Sequence, residues 1–210
     1  MLPGMGSIMA GITVRSYLWA VSANNGSGTS LTINKPTGTV DGDIMVAVMS
    51  GGNAGAWTGD TGWTEILDQG ATPNIRAAYK VASGEGASYT FSHPASGGNY
   101  GFLATFRGLQ YDTVSASAST QTGDGTLAVT GITAAGGVLI AAYAITDAFS
   151  GSSSSTPGGM ISLASSGTGL GEGIFGYWQE VAAGATGTRS SSLGTDMGQG
   201  AGILIALKPA

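Results

Sequence analysis

No stretch of a dozen residues in this chain holds a 3.6-residue apolar period without a glycine interrupting it. Glycine inside a helix costs about 0.5–1 kcal/mol relative to alanine, so regular helices are excluded almost everywhere. Glycine fills 38 of the 210 positions, more than twice its usual share of about 7%. The glycines follow no three-residue period, which excludes a collagen-like triple helix. Between them lie short runs rich in Val, Ile, Thr and aromatic residues, bounded by Gly, Asn, Asp and Pro, and these read as strands. Fourteen candidates emerge: residues 12–22, 30–34, 43–49, 63–68, 75–82, 88–92, 100–109, 113–119, 127–130, 138–145, 160–164, 173–181, 188–193 and 202–207. Turn chemistry separates them at Asn24-Asn25-Gly26, Lys35-Pro36-Thr37-Gly38, Asp41-Gly42, Asp124-Gly125 and Pro157-Gly158-Gly159. The expected class is all-β, a sandwich or barrel.

Composition removes several functional classes. Hydrophobic residues make up 42% and the mean hydropathy is +0.21, too apolar for intrinsic disorder. The longest apolar stretch, residues 136–145, is too short to cross a bilayer as a helix. Seven Lys and Arg against twelve Asp and Glu give a net charge of −5. No basic surface for nucleic acid is expected from that balance, and neither nucleic acid nor membrane is an expected partner. Cysteine is absent, so disulfides and thiolate metal sites are impossible. Only 9% of residues are charged, against about 25% in ordinary domains. A surface so poor in charge suits a subunit that buries much of itself in a symmetric assembly, and a homo-oligomer is expected.

A weak internal repeat organises the chain. GDIMVAVM at 42–49 matches GGVLIAAY at 136–143, YKVA at 79–82 matches QEVA at 179–182, and GFLATFR at 101–107 matches GILIALK at 202–208. By this alignment Glu180 stands where Lys80 does, at an outward position. The halves run over about 31–109 and 127–210. Two tandem domains are one reading. The preferred one is a single domain over 12–210, in which each half contributes equivalent strands to two packed sheets. The connecting residues 110–125 favour it, because they alternate as a strand does and lack the proline or charge runs of a spacer. Residues 1–11 have neither the positive start nor the unbroken apolar run of a secretory signal. They read as an irregular arm whose Met1, Leu2 and Ile8 are candidate contacts to a neighbouring subunit.

In order along the chain stand Gly42-Asp43-Ile44-Met45-Val46-Ala47, Gly62-Trp63-Thr64, Tyr79-Lys80-Val81-Ala82-Ser83-Gly84, Ser88-Tyr89-Thr90-Phe91, Phe106-Arg107-Gly108-Leu109 and the ending Ala206-Leu207-Lys208-Pro209-Ala210. This succession resembles a family of phage and prophage virion proteins found among head decoration (cement), head fibre and tail-associated proteins. The resemblance implies a jelly-roll-like two-sheet β-sandwich, placed on the virion surface and partnered by the major capsid protein or other virion proteins. It implies a structural role, capsid decoration first, by a homo-oligomer with a trimer favoured. A tail-fibre or receptor-binding module that recognises host surface glycans is the alternative. It also implies that Trp63 and Tyr79 lie in the core.

Candidate chemistry is sparse, and neither an enzyme nor a cofactor is expected. His93, the only histidine, reads as a loop residue. It has no G-x-S-x-G nucleophile turn to serve. The four glutamates, Glu65, Glu85, Glu172 and Glu180, could include a glycosidase pair, but their placement has no pattern and Glu85 reads as a turn residue. Asp41-Gly42-Asp43 offers oxygen atoms to a calcium ion yet lacks the further acids of a calcium loop, so it reads as a turn. Gly167-Thr168-Gly169-Leu170-Gly171 follows no βαβ unit and is no dinucleotide loop. Trp19 and Trp178 lie in predicted strands, whereas Trp57 sits in the glycine-rich run 51–60. A loop tryptophan is an anchor for a partner, a locally packed residue or a platform for a sugar, and Trp57 is expected to be a partner contact. The second exposed loop, 150–159, carries no chemistry.

Overall fold

The computed structural model describes residues 17–59, 61–120, 125–146, 155–167, 173–192 and 198–210, and these form strands, turns, bends and irregular connections with no helix. The strands are β1 (Tyr17–Asn34), β2 (Ile44–Gly51), β3 (Thr64–Gln69), β4 (Asn74–Val81), β5 (Ser88–Phe106), β6 (Leu109–Thr120), β7 (Thr126–Val129), β8 (Thr133–Thr146), β9 (Ile161–Gly167), β10 (Gly173–Ala185), β11 (Arg189–Ser192) and β12 (Gln199–Pro209). Fourteen expected strands become twelve because two pairs merge. Candidates 12–22 and 30–34 join as β1, and 88–92 and 100–109 join as β5. The merging has one cause. β1 and β5 pair with each other along their length, and the turn-forming residues at 24–30 and 93–97 are absorbed as register shifts inside the pair.

The chain is an all-β sandwich of two five-stranded antiparallel sheets plus a two-stranded ribbon. Strand order is β1-β5-β2-β4-β3 in the first sheet and β6-β12-β8-β10-β9 in the second, with β7 and β11 paired apart. The chain completes one sheet before it enters the other. The two orders are the same once β7 and β11 are set aside. The register agrees residue for residue: Ile44 faces Phe106 and Val48 faces Phe102 across β2 and β5, while Val138 faces Leu207 and Ala142 faces Ile203 across β8 and β12. Contacts between the sheets repeat the relation, with β1 over β9 and β6 over β3, β5 over β10 and β12 over β4. Each pair maps onto its partner pair when the halves are exchanged, as a twofold relation between the sheets requires.

The register corrects one detail of the repeat. Lys80 pairs with Met45, and the residue paired with the equivalent Leu139 is Gln179. Glu180 therefore corresponds to Val81, one place from the alignment of YKVA with QEVA. A one-residue shift moves a side chain to the other face, and the inward residues make the choice. Tyr79 and Trp178, both packed against the same core, are the equivalent pair.

Strand alternation divides each central strand between two cores. Ile44, Val46 and Val48 of β2 meet Val138, Ile140 and Ala142 of β8 in the core between the sheets, together with Phe102, Phe106, Ile203 and Ile205. The other faces are also covered. On the first sheet Met45, Ala47 and Met49 are buried under Leu31, Ile33 and Phe91. On the second, Leu139, Ala141 and Tyr143 are buried with Leu127 and Val129. The segment of β1 and β5 that pairs residues 30–34 with 88–92 thus does for the first sheet what the β7–β11 ribbon does for the second. Two glycines seat these covers. A Cβ on Gly101 would lie 2.7 Å from Leu31 Cδ2 and 3.0 Å from Ile33 Cδ1, and one on Gly202 would lie 2.5 Å from Val129 Cγ2 and 3.4 Å from Leu127 Cδ2. The glycine that opens each GFLATFR/GILIALK block is the floor on which its cover rests.

Candidate functional site

The densest group of buried polar side chains lies at one end of the first sheet, beneath the segment 52–59 that joins β2 to β3. Asn74 and Arg76 occupy alternate positions of β4, so both point to one face. Asp68 comes from β3, where it pairs with Arg76. The Asn74 amide donates to the Gly55 carbonyl at 2.5 Å and to Asp68 Oδ1 at 3.0 Å. The Trp57 N–H donates to Asp68 Oδ2 at 3.1 Å, and Arg76 Nη1 donates to the Trp57 carbonyl at 2.5 Å. Arg76 Nη2 lies 3.3 Å from Glu65 Oε2. Three side chains thereby satisfy the main chain of a loop that would otherwise leave its amides and carbonyls without partners.

His93 sits on the other side of this loop. It belongs to β5, only 2% exposed, which corrects the expected loop placement. Its ring centroid is 4.9 Å from that of Trp57. A Cβ on Gly51 would come within 3.1 Å of the imidazole, and one on Gly55 within 3.2 Å of Nε2 and 2.7 Å of Pro94 Cγ. Gly55 also has φ = 151°, in the region that favours glycine. The glycine-rich loop folds inward because those positions carry no side chain. Trp57, expected to reach outward to a partner, is instead 3% exposed and packed in the outer core of its own sheet. Inward packing of its large apolar ring outweighs the freedom that glycine gives the loop.

The remaining candidates fall as follows. Glu85 is the centre of a clip: its carboxylate accepts from Lys80 Nζ at 2.9 Å, Tyr89 Oη at 2.9 Å and the Ser83 N–H at 3.1 Å. Burial raises the Glu85 carboxyl pKa, and these hydrogen bonds with the Lys80 charge outweigh it, holding the group below its ordinary value. Burial, joined by Glu85, raises the Tyr89 hydroxyl well above its ordinary range. Asp43 follows the same pattern: burial raises it, but Arg107 at 2.8 and 3.1 Å and the Val40 N–H at 3.0 Å lower it further. Asp41 accepts the Gly84 N–H at 2.9 Å. The Asp41-Gly42-Asp43 run is thus a turn, with Gly42 at φ = 88°, and among the described residues no group of three His, Cys, Asp or Glu could hold a metal ion. Glu180 is exposed on β10. Trp63 and Tyr79 are half-buried rather than core residues. Trp63 packs edge-on against Tyr89 and Phe91, and Tyr79 stacks on Tyr111 at 5.1 Å. Trp178 is buried in the main core. Trp19 lies in β1. Met1, Leu2, Ile8, Glu172 and residues 168–171 lie outside the described residues.

Asp68, Asn74 and Arg76 escaped the sequence reading because they form no motif. The available signal was the pattern N-x-R at the start of an otherwise apolar strand, which places two polar groups on one buried face. No protein-family model, curated protein or solved structure matches this chain.

Proposed function

We propose that this chain is a structural protein of a phage particle, a decoration protein that binds the head shell as a homo-oligomer and stabilises it by cohesion between neighbouring subunits. One observation carries the reading. Among the described residues, these acidic and basic side chains are engaged in holding turns and loops: Glu85 with Lys80, Asp43 with Arg107, and Asp68 and Arg76 with the Trp57 backbone. A surface with few charges is suited to burial against partners rather than to electrostatic recognition. The four sheet edges, β1, β3, β6 and β9, offer main-chain groups for pairing with other chains. The family resemblance of the sequence points the same way.

Size-exclusion chromatography with light scattering on the purified protein, alone and with capsids that lack it, tests the proposal. The expected result is a defined oligomer, a trimer first, that adds to the shells at fixed stoichiometry. A protein that ignores shells and binds host cells or polysaccharide overturns it in favour of receptor recognition.

A further inference from the structure

We propose that the recess between β1, the loop 52–59 and β5 is a binding site for one neutral saccharide unit. It lies beside an irregularity in strand pairing. β1 and β5 are in register at Ser30 with Ser92 and again at Gly28 with Gly97, so residues 93–96 of β5 stand against Thr29 alone. This irregular stretch of the pair borders an open recess of about 380 Å³, within the usual range for small-ligand sites and large enough for a pyranose ring.

The lining decides the chemistry. Thr29, Ser30, Thr58 and Ser92 bring hydroxyl groups, Ala56 and Pro94 bring apolar surface, and His93, itself buried, backs the wall. None of these residues is an acid, a lysine or an arginine, so an ionic ligand finds no counter-charge. Each hydroxyl both donates and accepts, as does each hydroxyl of a sugar. The Pro94 ring and the Ala56 methyl suit the C–H face of a pyranose. The walls are also held in place before any ligand arrives. Thr58 and Ser92 exchange two main-chain hydrogen bonds at 2.8 Å, Asp68, Asn74 and Arg76 pin the loop from below, and His93 is wedged against Trp57. A site held this way loses little entropy on binding. It is independent of shell binding, so either proposal stands or falls alone.

The test is ligand-observed NMR by saturation transfer on the full chain, with methyl α-D-glucoside, methyl β-D-galactoside, N-acetyl-D-glucosamine and methyl α-L-rhamnoside, followed by titration of any binder. The expected result is transfer to at least one of them with a Kd of about 1 mM. Thr58→Val keeps the shape of the wall and removes a hydroxyl, and is expected to weaken that binder about tenfold. Ala56→Trp, at an exposed position, fills the recess and is expected to abolish transfer while the urea midpoint stays unchanged. A tetrasaccharide of the same sugar that binds more than about tenfold tighter marks the recess as one subsite of a glycan groove, and equal affinity marks a monosaccharide site. Absence of transfer from all four sugars at about 10 mM, or transfer that survives both substitutions, overturns the proposal.

Discussion

Placing a single methyl group at Gly101 tests how the outer cover is seated on the first sheet. In Gly101→Ala the new Cβ lies 2.7 Å from Leu31 Cδ2, 3.0 Å from Ile33 Cδ1 and 2.9 Å from the Val48 carbonyl oxygen. Leu31 and Ile33 are both fully buried, so neither can swing into solvent without losing its core contacts. The Val48 oxygen belongs to the ladder of β2 and cannot retreat. Overpacking of this kind costs about 1–3 kcal/mol, and loss of glycine's freedom in the unfolded chain returns about 0.4–1 kcal/mol. The net expectation is a destabilisation of about 1–2 kcal/mol. With a urea m-value of about 2 kcal/mol/M, the unfolding midpoint falls by roughly 0.5–1 M at unchanged slope. Gly202→Ala is expected to cost less. The three atoms nearest its Cβ belong to the side chains of Val129, Leu127 and Tyr143, and the first two residues lie on the separate β7–β11 ribbon, which can shift. Gly86→Ala is the control, since a Cβ there meets nothing within 4 Å, and it is expected to be neutral or slightly stabilising. Combining Gly101→Ala with Leu31→Val, which removes the nearest methyl, is expected to cost less than the sum of the two. If Gly101→Ala behaves like Gly86→Ala, or the double variant is strictly additive, the cover does not rest on that glycine.

The Glu85 clip gives a pH-dependent prediction. Its carboxyl is held below the ordinary value of 4.5 in the folded chain, so its contribution is complete above that value and disappears as pH falls through the lowered folded value. Glu85→Gln is expected to cost about 1–2 kcal/mol at pH 7, with the gap to the parent closing below pH 4.5; a gap that stays constant down to pH 3 refutes the assignment. Asn74→Ala removes the donor to both the Gly55 carbonyl and Asp68 and is expected to destabilise by about 1–3 kcal/mol. The Trp57 indole resonance, assigned with Trp57→Phe, is expected to shift and broaden as the loop loosens, and an unchanged resonance refutes the pinning role of Asn74.

Much of the architecture was legible because it is written locally. Glycine spacing excluded helices, and runs rich in β-branched and aromatic residues between turn residues located every described strand. The repeat blocks marked the strands that pair identically in the two halves. Where the reading went astray, a distant partner had decided. Asn24-Asn25-Gly26 carries every mark of a turn, yet β1 runs through it because β5 lies alongside and the pair absorbs the irregularity. His93 precedes Pro94 and reads as a loop, yet β5 runs through both. Lys80 and Glu180 share a motif position but not a sheet position, because the faces of β4 and β10 are set by Tyr79 packing against, and Trp178 entering, the common core.

The candidate site was the least legible part. A glycine-rich loop with one tryptophan has the same local signature whether it extends into solvent or folds back on its own sheet. Trp57 is buried because Asp68, Asn74 and Arg76, on other strands, hold the loop's main chain and His93 supplies a surface for the ring. By itself the sequence determined the all-β class, the turns at 35–38, 41–42 and 157–159, and the internal repeat, since propensity, alternation and glycine chemistry act within a few residues. Only the tertiary structure decided which half fills which sheet, which segments cover the outer faces, and that a recess lined with hydroxyls lies beside an irregularity in the β1–β5 pair. Those outcomes depend on strand pairs distant in sequence, whose free energy comes from burial and register that no single segment contains.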